Sequence, residues 1–82
     1  MKEIEWTDAA LADMVALDQG IARRVKQTIE RFAATGAGNV KRLRDIEPPE
    51  YRLRVGDWRV RFRQDGETVR ILRVRNRREA YR

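Results

Sequence analysis

Tyr51-Arg52-Leu53-Arg54-Val55-Gly56-Asp57-Trp58-Arg59-Val60-Arg61-Phe62-Arg63 is the stretch that decides the fold of this chain. Apolar residues and arginines alternate with a period of two, which sends successive side chains to opposite faces of a strand. Gly56-Asp57 interrupts the run at a tight turn. The stretch therefore predicts a hairpin. Tyr51, Leu53, Val55, Trp58, Val60 and Phe62 face a core, and Arg52, Arg54, Arg59, Arg61 and Arg63 face away from it.

Downstream, Asp65-Gly66 is a second hairpin signal. The run from Thr68 to Val74 places Val69, Ile71, Leu72 and Val74 in a third strand. Its alternation breaks at Ile71-Leu72, as in a central strand or one with a bulge. Residues 75–82 read as a polar tail. Upstream, Pro48-Pro49 excludes a helix and sets an extended entry to the hairpin.

Before residue 40 the period is that of a helix, apart from a short strand over residues 2–6. Thr7 and Asp8 are helix-start residues, and Leu11, Met14 and Val15 follow at helical spacing. Asp18 caps a second helix with a clear apolar stripe of Ile21, Val25, Ile29, Phe32 and Ala33. Gly36 ends it. The expected fold is α+β in the order β-α-α-β-β-β. A helical hairpin packs on one face of a small, mainly antiparallel twisted sheet, all within a single domain over residues 1–82.

The 82 residues leave no room for a deep cofactor pocket beside a core, so function is expected on an open face. The chain has no cysteine and no histidine. Disulfides, thiolate chemistry and a histidine base are excluded, and neither a metal nor a small-molecule cofactor is expected. No apolar run approaches a membrane span, and the N-terminus lacks the apolar stretch of a signal peptide. The expectation is a cytoplasmic protein without a membrane partner.

The net charge of +6 is unevenly spread. Residues 1–38 hold five basic and six acidic side chains, whereas residues 39–82 hold fourteen basic and seven acidic. Sixteen of the nineteen basic residues are arginine, whose planar fork grips phosphate with two hydrogen bonds. Like charges on adjacent strands repel one another, so the arginine face points to an anionic partner. The competing reading is a solvated face whose arginines pair with Asp45, Glu47, Glu50 or Glu67. The tail adds Arg75, Arg77, Arg78, Tyr81 and Arg82. An aromatic among arginines suits base stacking beside phosphate contacts, or a ring packed on the sheet edge.

The stretch from Tyr51 to Phe62 resembles the central signature of the RelE/ParE toxins of type II toxin–antitoxin systems. The ending Val74-Arg75-Asn76-Arg77-Arg78-Glu79-Ala80-Tyr81-Arg82 resembles the RelE-type ending. The element order is similar as well, so the resemblance covers the whole chain. It implies a toxin that cleaves mRNA in the ribosomal A site, inhibits translation and is silenced by a cognate acidic antitoxin. It implies Arg59, Arg77 and Tyr81 as catalytic residues, with Arg52, Arg54, Arg61, Arg75 and Arg78 holding RNA phosphates. Many relatives carry a histidine where this chain has Asn76, so a histidine-based mechanism is ruled out. Glu50 and Glu79 are then the carboxylate candidates for a general base. The ParE branch, which inhibits DNA gyrase, and a non-catalytic module that only binds nucleic acid or antitoxin are the alternatives.

Overall fold

A computed structural model describes residues 1–80 of the chain, with the side chains of residues 1–78. The elements are β1 (Glu3–Trp6), α1 (Asp8–Val15), α2 (Gln19–Thr35), β2 (Asn39–Arg42), β3 (Tyr51–Val55), β4 (Trp58–Gln64), β5 (Thr68–Asn76) and α3 (Arg77–Ala80). They form one sheet in the order β1-β5-β4-β3-β2. β1 runs parallel to β5, and every other pairing is antiparallel. Helices α1 and α2 pack on one face, giving the expected α+β layers. Among the described residues no helix is long and apolar enough to cross a membrane.

Local chemistry accounts for the boundaries. The Thr7 side chain caps α1 by accepting from Ala10 N, and its hydroxyl lies 2.9 and 3.0 Å from the carbonyl oxygens of Ile71 and Leu72. It thus fastens the start of α1 to β5. Asp18 caps α2 by accepting from Gly20 N. Gly36 ends α2 at φ 77°, a left-handed conformation that glycine adopts without a Cβ penalty. In the first hairpin Val55 faces Trp58 across Gly56-Asp57, with Gly56 at φ 58°.

The core joins the α2 stripe to the inward side chains of β3, β4 and β5. Val25, Ile29, Phe32 and Ala33 meet Leu53, Val55, Val60, Phe62, Val69, Ile71 and Val74. The ring centroids of Phe32 and Phe62 lie 5.1 Å apart, and Tyr51 stacks on Phe62 at 5.5 Å. The irregularity expected at Ile71-Leu72 is a bulge. Arg61 faces Arg73 while Phe62 faces Ile71, so Leu72 is the extra residue.

Three expectations are corrected. The sheet has five strands rather than four, because residues 39–42 form β2 on the far edge. That strand has one inward apolar residue, Val40, too weak a pattern to identify. β5 extends through Arg75 and Asn76, which face Arg59 and Trp58, and the tail then turns into α3. Finally, Leu11 and Val15 point outward, at 47% and 86% exposure. Ala10 is the buried residue of α1, with Met14 partly buried. A helix of eight residues spans little more than two turns, so apolar spacing alone leaves its phase ambiguous.

Candidate nucleic-acid interface

Because the alternate residues of β3 and β4 are core, their arginines emerge on the face that α1 and α2 leave open. Strand register arranges them in rows across the sheet. One row runs Asn39, Arg54, Arg59, Arg75, and the next runs Lys41, Arg52, Arg61, Arg73. A third sets Arg63 opposite Arg70, with Glu5 beyond. Nine cations thus stand on adjacent strands, yet their electrostatic circumstances differ.

Part of the set is neutralised by two acids. Glu50, only 6% exposed, accepts from Arg61 Nη2 through one carboxylate oxygen and lies 3.5 Å from Arg63 Nη2 through the other. Arg61, expected to meet phosphate, therefore meets a carboxylate. Glu50, a candidate general base in the sequence, is engaged as an ion-pair partner. Asp13 on α1 receives Arg73 through two bonds of 2.9 and 3.0 Å. Asp13 also accepts from Val74 N at 2.8 Å. β1 ends opposite Ile71, so beyond that point Asp13 satisfies a β5 backbone donor that no strand covers. Burial favours the neutral Asp13 carboxyl. The bonds from Arg73 and Val74, with the charges of Arg73 and Arg75, outweigh this and hold its pKa below the ordinary 3.8. Sequence reasoning missed Asp13 and Arg73. The signal was an acid one turn from the α1 residues that pack inward.

Arg59 is different. It was expected to be exposed, but it is 4% exposed. It lies mid-sheet between Arg54 and Arg75, and its side chain folds back onto the β3–β4 turn. Nη1 donates to the Gly56 carbonyl at 2.9 Å and to the Trp58 carbonyl at 3.1 Å. Nε is buried without a hydrogen-bond partner. Among the described residues no carboxylate pairs with Arg59. A buried cation without a counter-charge is costly, so the site favours any anion that reaches it.

Other cations gather around the same turn. Arg54 is exposed and Arg75 half-buried, and among the described residues neither makes a side-chain hydrogen bond or ion pair. Arg77 N donates to the Asp57 carbonyl at 2.7 Å, and Arg78 N donates to Asn76 Oδ1 at 3.1 Å. These bonds set the start of α3 against the turn that anchors Arg59. Asp57, Asn76, Arg77 and Arg78 line a shallow groove of about 410 Å³ there. The fold therefore brings Arg54, Arg59, Arg75, Arg77 and Arg78 together at one end of the open face. Arg52, half-buried, stands one row away. Tyr81 lies outside the described residues, as does the side chain of Glu79.

A cluster of guanidinium groups around a buried member that meets no carboxylate among the described residues can hold phosphate oxygens and stabilise added negative charge on phosphorus. Arginine keeps its charge at any physiological pH, so this capacity does not depend on a titrating group.

A family model described as the ParE toxin of the type II toxin–antitoxin system parDE matches residues 4–81. No curated protein matches the chain. A chain of the RelB–RelE antitoxin–toxin complex from Methanococcus jannaschii superposes with a TM-score of 0.76 at 22% identity, covering 94% of each chain. A chain of the archaeal RelE–RelB complex from Pyrococcus horikoshii OT3 gives 0.77 at 18% identity, over 93% of this chain and 94% of that one. A chain of the RelBE2 toxin–antitoxin complex from Mycobacterium tuberculosis gives 0.63 at 27% identity, over 92% and 96%. The first two likenesses are of fold alone.

Proposed function

We propose that this chain, which belongs to the ParE toxin family of type II toxin–antitoxin systems, acts as a metal-independent endoribonuclease on mRNA. The observation that carries this reading is the buried Arg59, held by two backbone carbonyls, lacking a carboxylate among the described residues and flanked by Arg54 and Arg75. A surface built only for solubility would expose or neutralise that charge. A surface built for phosphate leaves it for the substrate.

In the proposed reaction the ribose 2′-oxygen attacks the adjacent phosphorus and the bond from phosphorus to the 5′-oxygen breaks. The hydroxyl proton passes to a base, and the leaving oxygen takes up a proton. Arg59 and Arg77 neutralise the charge that builds on the phosphorane oxygens. Arg54, Arg75 and Arg78, with Arg52, hold the flanking backbone. Arg61 drops out of this set because Glu50 occupies it. Tyr81 is the base that the family resemblance suggests. With an ordinary pKa of about 10, a tyrosine serves as a base at neutral pH only where nearby cations lower that value. The mRNA is presented in the ribosomal A site. The partner is an antitoxin protein, whose acidic segment covers the same cations.

The matching family model is described as a ParE toxin, and for the ParE branch the resemblance implies a second reading, inhibition of DNA gyrase. Inducible expression with mapping of transcript 5′ ends, beside a supercoiling assay on purified gyrase, separates the two. New ends at codon positions support the nuclease. Gyrase inhibition with intact transcripts overturns it.

A further inference from the structure

We infer, resting on the RNA reading above, that the groove at the opposite end of the open face seats a further nucleotide of the bound strand. This groove has a volume of about 390 Å³ and is lined by Pro48, Pro49, Tyr51, Arg63, Gln64 and Arg70 among others. Arg63 and Arg70 face each other directly across β4 and β5, an arrangement that costs stability in a sheet. Glu50 relieves it in part, through an ion pair to Arg63 that is longer, at 3.5 Å, than its bond to Arg61, and Arg63 Nε is buried without a partner among the described residues. Arg70 is exposed and makes no ion pair among the described residues.

Two acids also line the groove, Glu5 and Asp65. The Asp65 carboxylate is turned to the backbone, accepting from Glu67 N and Thr68 N at 2.8 Å each. Glu5 stands beside Arg70 in register without an ion pair among the described residues. The groove thus offers Arg70 to a phosphate, with the partly neutralised Arg63 beside it, a rigid apolar wall at Pro48-Pro49 to a base, and polar side chains to the base edge. That mixture fits a nucleotide better than a bare anion.

The spacing supports one continuous strand. Arg59 and Arg63 are four residues apart on β4, about 13 Å at the rise of a strand. That distance is roughly four nucleotides at the ~3.4 Å rise of a stacked strand, and fewer in an extended one. A short oligonucleotide can reach one end only, whereas a longer one spans both.

The test is fluorescence anisotropy with 2′-O-methylated oligouridylates, which bind but cannot be cut. The turn end carries more cations and takes the dinucleotide first, so the hexanucleotide is expected to bind at least about tenfold more tightly. Arg70→Gln, and separately Arg63→Gln, should remove about tenfold of the hexanucleotide affinity. Each should also lower the salt slope by about 0.7. Dinucleotide binding should stay within twofold. Arg77→Ala should weaken both lengths. Arg63 touches Glu50, so the exposed Arg70 is the deciding position if Arg63→Gln lowers the melting temperature. If the hexanucleotide binds and Arg70→Gln leaves its affinity unchanged, the second seat is wrong and the RNA reading survives. If neither length binds the wild-type chain, both fall.

Discussion

Arg59 and Arg61 occupy neighbouring outward positions of β4, and the protein treats them in opposite ways. Arg61 ends on the buried carboxylate of Glu50. Arg59 is more deeply buried yet ends on two neutral carbonyls. The first arrangement cancels charge and ties β4 to the segment entering β3. The second leaves a positive charge standing inside a row of three arginines. Arginine content alone therefore does not mark a phosphate site. In the proposed reading the mark is a guanidinium buried with no matching anion among the described residues.

The contrast breaks most visibly in activity. Arg59→Lys keeps the charge and loses the planar fork, so transcript cleavage should fall by about a hundredfold or more. Equal cleavage by the variant, measured on the same transcripts, would remove Arg59 from the reaction. Arg59→Ala is a poorer probe, because it also empties a buried position.

The paired side should break in stability instead. Glu50→Ala leaves Arg61 and Arg63 facing each other's charge with no acid between them. A loss of about 2 kcal/mol is expected in urea unfolding, below the roughly 3–5 kcal/mol for breaking a fully buried pair because both arginines are more than a third exposed. A loss below about 0.5 kcal/mol would mean that solvent already screens the cluster.

Asp13 sharpens the comparison through pH. Its pKa is lowered in the folded chain, so the unfolded chain binds its proton more readily. The stabilisation is present above the unfolded value near 3.8 and is lost as pH falls through the lower folded value. Thermal melts across acidic pH should show this loss in the wild type and a shallower one in Asp13→Asn. The Asp65 carboxyl, lowered mainly by the amides of Glu67 and Thr68, adds a loss of the same sign in both proteins.

The smallest effect belongs to Arg54, which makes no ion pair among the described residues. Arg54→Ala should change stability by less than about 0.5 kcal/mol, upward if at all, because it relieves repulsion from Arg59. Its expected cost is in RNA affinity. A large destabilisation would show that Arg54 supports the fold rather than a ligand.

Much of this architecture was legible because it is written at short range. A period of two with a Gly-Asp interruption specifies β3, β4 and their turn. The α2 stripe from Ile21 to Ala33, with Asp18 before it and Gly36 after it, specifies a helix and its buried face. Thr7 specifies where α1 begins. The phase of α1 was not legible, since eight residues carry too few apolar positions and the buried one is an alanine. β2 was not legible either, since Val40 alone faces inward.

Sequence alone determined that the sheet has an apolar face and an arginine face, because strand alternation is a property of neighbouring residues. It could not determine which arginines are available to a ligand. Glu50 lies 11 and 13 residues from the arginines it holds, and Asp13 lies 60 from Arg73. Those meetings depend on strand register and on where α1 crosses the β5 edge. Only the assembled tertiary structure separates arginines that meet a carboxylate from those that meet none among the described residues, because the energy of an ion depends on what surrounds it in space.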